Sequence, residues 1–385
     1  MSNHRYASSP KTPTILIMAG GTGGHIFPGI AVADELKSQG WQVHWLGTAE
    51  RMEARLVPQY GYDISFIKVS GLRGKSWFSL IFAPFKLVKA YRQAKKLISS
   101  LNPDVVLGMG GYASAPGGLA TYSLKIPFII HEQNAAAGLS NRLLAYFASE
   151  ICCAFPNAFN NKHKVNIVGN PIRSSIISKS VPMENESIEI GKNKNILVVG
   201  GSLGAQVLNE VIPQCYAELS VDSEFSIWHQ TGKNKQAKVI TQYPQASIAA
   251  GHVKITEFID DMAVAYQWAD IVICRAGALT VSELAMAATP AIFVPLPHAV
   301  DDHQTKNALY LVKHNAAKLM PQTQLNVKNL STMITELFID PEILKTMAKN
   351  AHKAAIFDAT RQVVHICKQL VSIDTNNLEC HKEKV

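Results

Sequence analysis

Two short apolar runs, each ending in a cluster of glycines, constrain this chain more than any other feature. Thr14-Ile15-Leu16-Ile17-Met18-Ala19 leads into Gly20-Gly21-Thr22-Gly23-Gly24, and Asn195-Ile196-Leu197-Val198-Val199 leads into Gly200-Gly201-Ser202-Leu203-Gly204. Each reads as a buried strand feeding a tight turn and then an amphipathic segment, the opening of a βα unit. The copies begin stretches of comparable length. The economical reading is an α/β chain of two Rossmann-like halves, each with a parallel sheet.

Other apolar runs fit the plan. Strand candidates fall at 41–46, 105–107, 128–131 and 151–154 in the first half, and at 225–229, 253–256, 271–274 and 291–294 in the second. Helical periodicity alternates with them over 30–39, 279–288 and 303–314, and returns over 348–371. Residues 174–194 are rich in Ser, Lys, Glu and Asn and carry no convincing strand, so they read as a linker. The expected organisation is a first Rossmann-like domain over 1–173, the linker over 174–194 and a second domain over 195–345. Closing helices over 346–371 and a flexible tail over 372–385 complete it.

Of 385 residues, 47% are hydrophobic and 17% charged, which excludes wholesale disorder. Lys plus Arg number 37 against 29 Asp plus Glu, a formal charge of +8 that suits an anionic partner: nucleic acid, an acidic bilayer or a phosphorylated substrate. Six cysteines form no CxxC pair, as expected of idle thiols in a reducing compartment. The apolar run at 14–19 is too short for a secretory leader, and no uncharged run approaches a spanning helix. The expectation is a cytosolic protein, at most peripheral to a membrane.

Glycines between a strand and a helix let backbone amides approach a phosphate, and the helix terminus adds partial positive charge. The same glycines would also serve a plain tight turn. The dinucleotide fingerprint is absent, because Ile26 stands where a GxGxxG frame from Gly21 needs glycine, and no GK[ST] makes a Walker loop. A further cluster, Gly108-Met109-Gly110-Gly111-Tyr112, continues to Gly118, so the first half offers two candidate anion sites, at 20–25 and 108–118. In the second half, Arg275-Ala276-Gly277 leads into a helix whose free amides would face a phosphate, with Glu283 one turn in. That carboxylate reads either as a solvated group favoured by the helix dipole or as a ribose-diol acceptor.

Taken together, GGTGGHIFPGIAVADEL, GLRGK at 71–75, DVVLGMGGYASAPGG, HEQNAAAG, VGNPIR, VVGGSLGAQVLN, EFIDDMAVAYQWADIVICRAGALTVSELA and the stretch 304–308 resemble the MurG family of peptidoglycan N-acetylglucosaminyltransferases. The likeness runs in order from about residue 14 to about 365. It implies a GT-B fold and inverting transfer of N-acetylglucosamine from UDP-N-acetylglucosamine to the C4 hydroxyl of lipid I, giving lipid II. No metal or other cofactor is implied. Carried over by motif, Ile259 would meet uracil through its backbone and Glu283 the ribose. Ser202 and the helix start Ala278, Leu279, Thr280, Val281 and Ser282 would hold the diphosphate, and Gln304 the sugar. The first domain would add Thr22, Gly23, Gly24, Asn134 and Arg173, with His25 and the loop at Gly110, Gly111 and Tyr112 toward the acceptor pyrophosphate. The implied location is the cytoplasmic face of the inner membrane, with lipid I, an anionic bilayer and cell-wall and division proteins as partners. Three positions depart from the family pattern: His303 in a usual glutamine pair, Leu203 in a GGSQGA-type loop and Ala276 in an RSG-type turn. They leave a second sugar contact open.

Inverting transfer needs one general base and a stabilised leaving diphosphate. His25 is the leading candidate base and Glu132 the weaker one. No Asp-x-Asp triplet exists, and the adjacent pairs Asp260-Asp261 and Asp301-Asp302 read as solvated caps rather than metal ligands. The segment 77–89 is dense in aromatic and aliphatic residues and turns basic at Arg92, Lys95 and Lys96, with Arg73 and Lys75 before it. An apolar wedge with cations lies well on an anionic bilayer, although aromatics at helical spacing also make core. Two rivals are another GT-B enzyme, such as a UDP-N-acetylglucosamine epimerase, and a nucleic-acid-binding protein. The latter rests on charge alone and has no supporting motif, so no nucleic-acid partner is expected.

Overall fold

The computed structural model describes residues 12–69, 83–159, 163–177, 194–220, 225–297 and 299–382. The GLRGK stretch, the 77–82 part of the apolar segment and most of the expected linker lie outside them. Two sheets form, and every strand pair in them is parallel.

The first sheet holds β1 (Thr14–Ala19), β2 (Gln42–Gly47), β3 (Asp63–Phe66), β4 (Val105–Gly110), β5 (Phe128–Glu132), β6 (Glu150–Cys153) and β7 (Asn166–Ile167), in the order β3-β2-β1-β4-β5-β6-β7. The second holds β8 (Asn195–Val199), β9 (Ser226–Gln230), β10 (Val253–Thr256), β11 (Ile271–Cys274), β12 (Ala291–Phe293) and β13 (Ala317–Leu319), in the order β10-β9-β8-β11-β12-β13. The first unit carries helices α1 (Gly23–Ser38), α2 (Met52–Gln59), α3 (Ala83–Leu101), α4 (Ser114–Ser123) and α5 (Leu139–Leu144). The second carries α6 (Gln206–Leu219), α7 (Met262–Trp268), α8 (Ala278–Met286), α9 (His303–Lys313), α10 (Val327–Phe338) and α11 (Pro341–Ala354), before the last helix α12 (Ala359–Lys382).

Strand alternation explains the layers. Ile15 and Ile17 of β1 pack against α1, while Leu16 and Met18 face α3, α4 and α5. All four are fully buried, and each such aliphatic side chain contributes about 1.5–3 kcal/mol. In the second sheet Leu197 and Val272 face α7, α8 and α9, whereas Ile196, Val198 and Ile273 face α6 and α10.

The chain ends where it began. Val363, Val364 and Cys367 of α12 pack into the cluster of Ile15, Ile30 and Val105, so the last helix covers the first sheet. The periodic stretch at 348–371 is two helices rather than one, because Ala355 takes an extended conformation between α11 and α12. The backbone of α12 stays helical past 371, where polar composition predicts a flexible tail; that stretch holds no glycine or proline to stop a helix. The two chain crossings between the sheets touch. Gly169 has a φ of +80°, and a Cβ there would stand 2.8 Å from Ile356 Cβ. Among the described residues, no helix is long and apolar enough to cross a membrane.

Candidate active site

An open parallel sheet collects ligands at the carboxyl ends of its strands, where the winding reverses. That reversal occurs twice here: β1 lies between β2 and β4, and β8 between β9 and β11. The glycine turns stand at the carboxyl ends of β1, β4, β8 and β11. The turns at 20–25 and 108–118, expected as two anion sites, make one surface. Gly20 N donates to Gly110 O at 3.3 Å. Gly111, at φ +95°, comes so close that a Cβ would stand 2.5 Å from Gly20 O. Tyr112 beside them is 42% exposed, with the Arg51 guanidinium 5.2 Å from its ring centre.

Thr22 precedes α1 in an extended conformation and its side chain does not cap the helix, so the first amides, at Gly23 and Gly24, have no side-chain cap. His25 sits half-buried in the same turn, with Nδ1 3.1 Å from Gly20 O. A carbonyl only accepts, so Nδ1 carries the proton and Nε2 keeps its lone pair. Nε2 lies over Gly110, where a Cβ would come within 3.0 Å of it. Burial lowers the His25 pKa most; Glu132, the Gly20 carbonyl and Glu53 push it back up, and His303 of α9 lowers it further. The net direction favours the neutral imidazole, with the basic nitrogen lying over Gly110.

Glu53 was not foreseen. This α2 carboxylate is 1% exposed and accepts from Gly21 N at 2.9 Å, Thr48 N at 3.0 Å and Thr48 Oγ1 at 2.6 Å. It pins the turn that holds His25, and a Cβ on Gly20 would strike its Oε1 at 2.4 Å. Glu132, the weaker candidate base, is spent on structure. Its Oε1 accepts from Asn134 N and Nδ2 at 3.0 and 3.1 Å, and its Oε2 from Gly138 N and Asn141 Nδ2 at 3.1 and 2.9 Å. With both oxygens engaged and the carboxylate buried, it shapes the 132–138 loop and tunes His25 from there.

In the second domain, Gln230 holds the glycine turn after β8: its Oε1 accepts from Gly201 N and its Nε2 donates to Gly201 O and Glu257 O. Ser202 is exposed at the tip and Leu203 is 84% exposed. Gly277 opens α8 without a side-chain cap, leaving the amides of Ala278, Leu279 and Thr280 to be met from outside, with Val281 turned into the core. Ile259 is buried beside α7, whose N-cap Asp261 accepts from Ala263 N and Val264 N. Gln304 Oε1 accepts from Leu296 N within its own domain. Arg275 donates to the carbonyls of Val294 and Pro295 and to Gln322, which makes it a strut of the β11 turn.

The halves meet through polar contacts. Arg173 Nη2 lies 3.5 Å from Glu283 Oε1, Tyr266 Oη donates to Glu283 Oε2 at 3.0 Å, and the Arg173 guanidinium covers the Phe27 ring at 4.8 Å. Asn170 Nδ2 reaches Ser282 Oγ at 3.0 Å and Gln133 O at 3.2 Å. Asn307 is fully buried; its Oδ1 accepts from Ala135 N at 2.7 Å and its Nδ2 donates to Asn134 Oδ1 at 3.2 Å. Asn170, Tyr266 and Asn307 stand inside quoted motifs, so position could have flagged them, whereas nothing local marks Glu53.

Residues 15–153 match the glycosyltransferase family 28 N-terminal domain and residues 195–363 its C-terminal domain. The chain is 61% identical over 384 residues to the UDP-N-acetylglucosamine--N-acetylmuramyl-(pentapeptide) pyrophosphoryl-undecaprenol N-acetylglucosamine transferase of Colwellia psychrerythraea, covering 100% of this chain and 99% of that protein. The chain belongs to the MurG family. The MurG crystal structure from Acinetobacter baumannii superposes with a TM-score of 0.77 at 40% identity, over 93% of this chain and 99% of that one. A UDP-N-acetylglucosamine 2-epimerase from Neisseria meningitidis is 14% identical with a TM-score of 0.62, over 91% and 98%, and shares the GT-B fold alone. The MurG motifs GGTGG, GGS and the RAG turn leading into ALTVSE follow strand ends, while GMGGY and HEQN span the carboxyl ends of β4 and β5.

Proposed function

We infer that this chain moves N-acetylglucosamine from UDP-N-acetylglucosamine to the C4 hydroxyl of the N-acetylmuramoyl sugar of lipid I, undecaprenyl-pyrophosphoryl-N-acetylmuramoyl-pentapeptide, giving lipid II. The observation that carries this reading is 61% identity across the whole chain with a relative named for that transfer.

The donor lies on the second domain. Ile259 meets the uracil and Glu283 the ribose hydroxyls, with Arg173 steadying the carboxylate and Asn134 and Gln304 near the sugar. The acceptor lies over Gly110, Gly111 and Tyr112, its pyrophosphate met by the free amides at Gly23 and Gly24. His25 Nε2 takes the proton of the C4 hydroxyl as that oxygen attacks the anomeric carbon, and the bond from that carbon to the diphosphate breaks. The resulting imidazolium is favoured by the buried charges of Glu132 and Glu53. The amides opening α8 supply about half a unit of positive charge to the leaving UDP. Each fixed donor of that kind contributes about 3–4 kcal/mol to the transition state.

The transfer runs without a metal ion. Two carboxylates of the adjacent aspartate pairs have other work: Asp261 caps α7, and Asp301 Oδ2 accepts from Arg142 at 2.8 Å. The enzyme works peripherally, on the cytoplasmic face of the inner membrane. The first turns of α3 support this, since Phe85, Leu87 and Val88 are 74%, 40% and 49% exposed beside exposed Lys86 and Lys89. Apolar groups interleaved with cations suit an anionic bilayer. Cell-wall and division proteins are the further partners at that location.

UDP release with a lipid-linked acceptor, measured with EDTA and with Mg²⁺ at matched ionic strength, tests this reading. Acceptor-dependent release that persists in chelator supports it. Release abolished by EDTA and restored by metal refutes the metal-free mechanism, and no acceptor-dependent release refutes the transfer.

A further inference from the structure

Next to the Asn134–Asn307 contact, a cavity of about 680 Å³ is walled by both domains, within the range of small-ligand sites. Its first-domain wall is residues 135–137 with Arg142, Tyr146 and His163; its second-domain wall is the outer part of α9, with Lys306, Lys313 and His314. Its lining contains three fixed cations, Arg142, Lys306 and Lys313, and one carboxylate, Asp301, which already pairs with Arg142 at 2.8 Å. Lys306 Nζ donates to the Asp301 backbone oxygen at 2.9 Å, which points the lysine at the same rim. His163 stands edge-on to Tyr146 with ring centres 4.8 Å apart. His314 Nδ1 donates to Tyr310 O at 2.7 Å, so its Nε2 is left for another partner.

We propose that this interdomain cavity binds the peptide arm of the acceptor through its carboxylate groups. The inference rests on the proposed transferase function. Residues 135–137 continue directly from Asn134, so the cavity opens where the sugar site ends. A peptide brings at least its terminal carboxylate, and two lysines with an aromatic wall match an anionic chain with apolar side groups. Because both domains line the cavity, a bound peptide arm favours the arrangement that joins Arg142 to Asp301.

The test uses the full-length enzyme, the double variant Lys306→Ala/Lys313→Ala, and two water-soluble acceptors. One acceptor bears the complete peptide; in the other the lactyl carboxyl is closed as a simple uncharged amide. The double variant should raise KM for the peptide-bearing acceptor by at least about tenfold, the loss of one charge-assisted hydrogen bond, with KM for the amide acceptor and for donor unchanged. Lys306→Arg/Lys313→Arg should restore the parental value. An equal rise for both acceptors, or no rise with the peptide, overturns the inference. So does a loss of binding to anionic vesicles without discrimination between acceptors, which assigns the lysines to the bilayer. A parent that turns over neither acceptor refutes the transferase reading instead.

Discussion

Arg173 of the first domain and Glu283 of the second stand 3.5 Å apart, an ion pair that joins the two halves. Burial raises the Glu283 pKa most, while the charge of Arg173 and the hydroxyl of Tyr266 pull it back. Burial thus disfavours the ionised carboxylate, and a residue from the other domain opposes that effect.

Glu283→Ala should weaken UDP-N-acetylglucosamine binding about 10- to 150-fold, the worth of a hydrogen bond to a charged group, while the variant stays folded. Calorimetry of donor binding checks it, and unchanged affinity would remove the ribose role. Donor affinity should also fall on acidification as Glu283 protonates, and Arg173→Met should move that inflection to higher pH. The stability sign runs the other way. A carboxyl whose folded pKa is raised loses its contribution as pH rises through that pKa, so the Tm of Glu283→Gln should gain on the parent with rising pH.

Glu53→Gln should slow turnover without changing donor affinity. The carboxylate fixes Gly21 and Thr48, and its charge raises the His25 pKa, so its removal loosens the turn and lowers that pKa. The acid limb of kcat/KM should shift to lower pH together with a fall in kcat. A variant with parental kcat and pH profile would leave Glu53 a purely structural clamp.

Phe85→Ser with Val88→Ser and Lys89→Glu should release the protein from anionic vesicles and spare activity on a short-chain, soluble acceptor. These side chains are exposed on the first turns of α3, so the fold should tolerate the changes. Co-sedimentation checks it, and vesicle binding equal to the parent's would place the membrane contact elsewhere.

The two-sheet plan was legible because β1 and β8 are apolar runs closed by glycines, and most of the remaining buried strands stand out as short apolar runs. β3, β7 and β13 were not, since Asp63–Phe66, Asn166–Ile167 and Ala317–Leu319 are too short or too polar to stand out. α1 begins at Gly23, well before the periodic stretch at 30–39, because glycines and Pro28 hide its first turns. The return of α12 to the first sheet is a tertiary choice that no local pattern carries. At the site, the motif positions include the glycine turns, Arg173 and Glu283. They could not tell that Glu132 is consumed by four hydrogen bonds, nor that Glu53, 32 residues from Gly21 in sequence, holds its amide.

His25 is proposed as the base that activates the acceptor, and single-turnover transfer by His25→Asn against the parent tests that role most directly. Asparagine can keep the hydrogen bond to Gly20 O but cannot take a proton. The parent should form the glycosylated lipid and UDP together, with a rate that falls on acidification through a pKa below the ordinary imidazole value. The variant should bind donor as the parent does and transfer about 10²- to 10⁴-fold more slowly, the usual worth of a general base. A variant that transfers at the parental rate would contradict it.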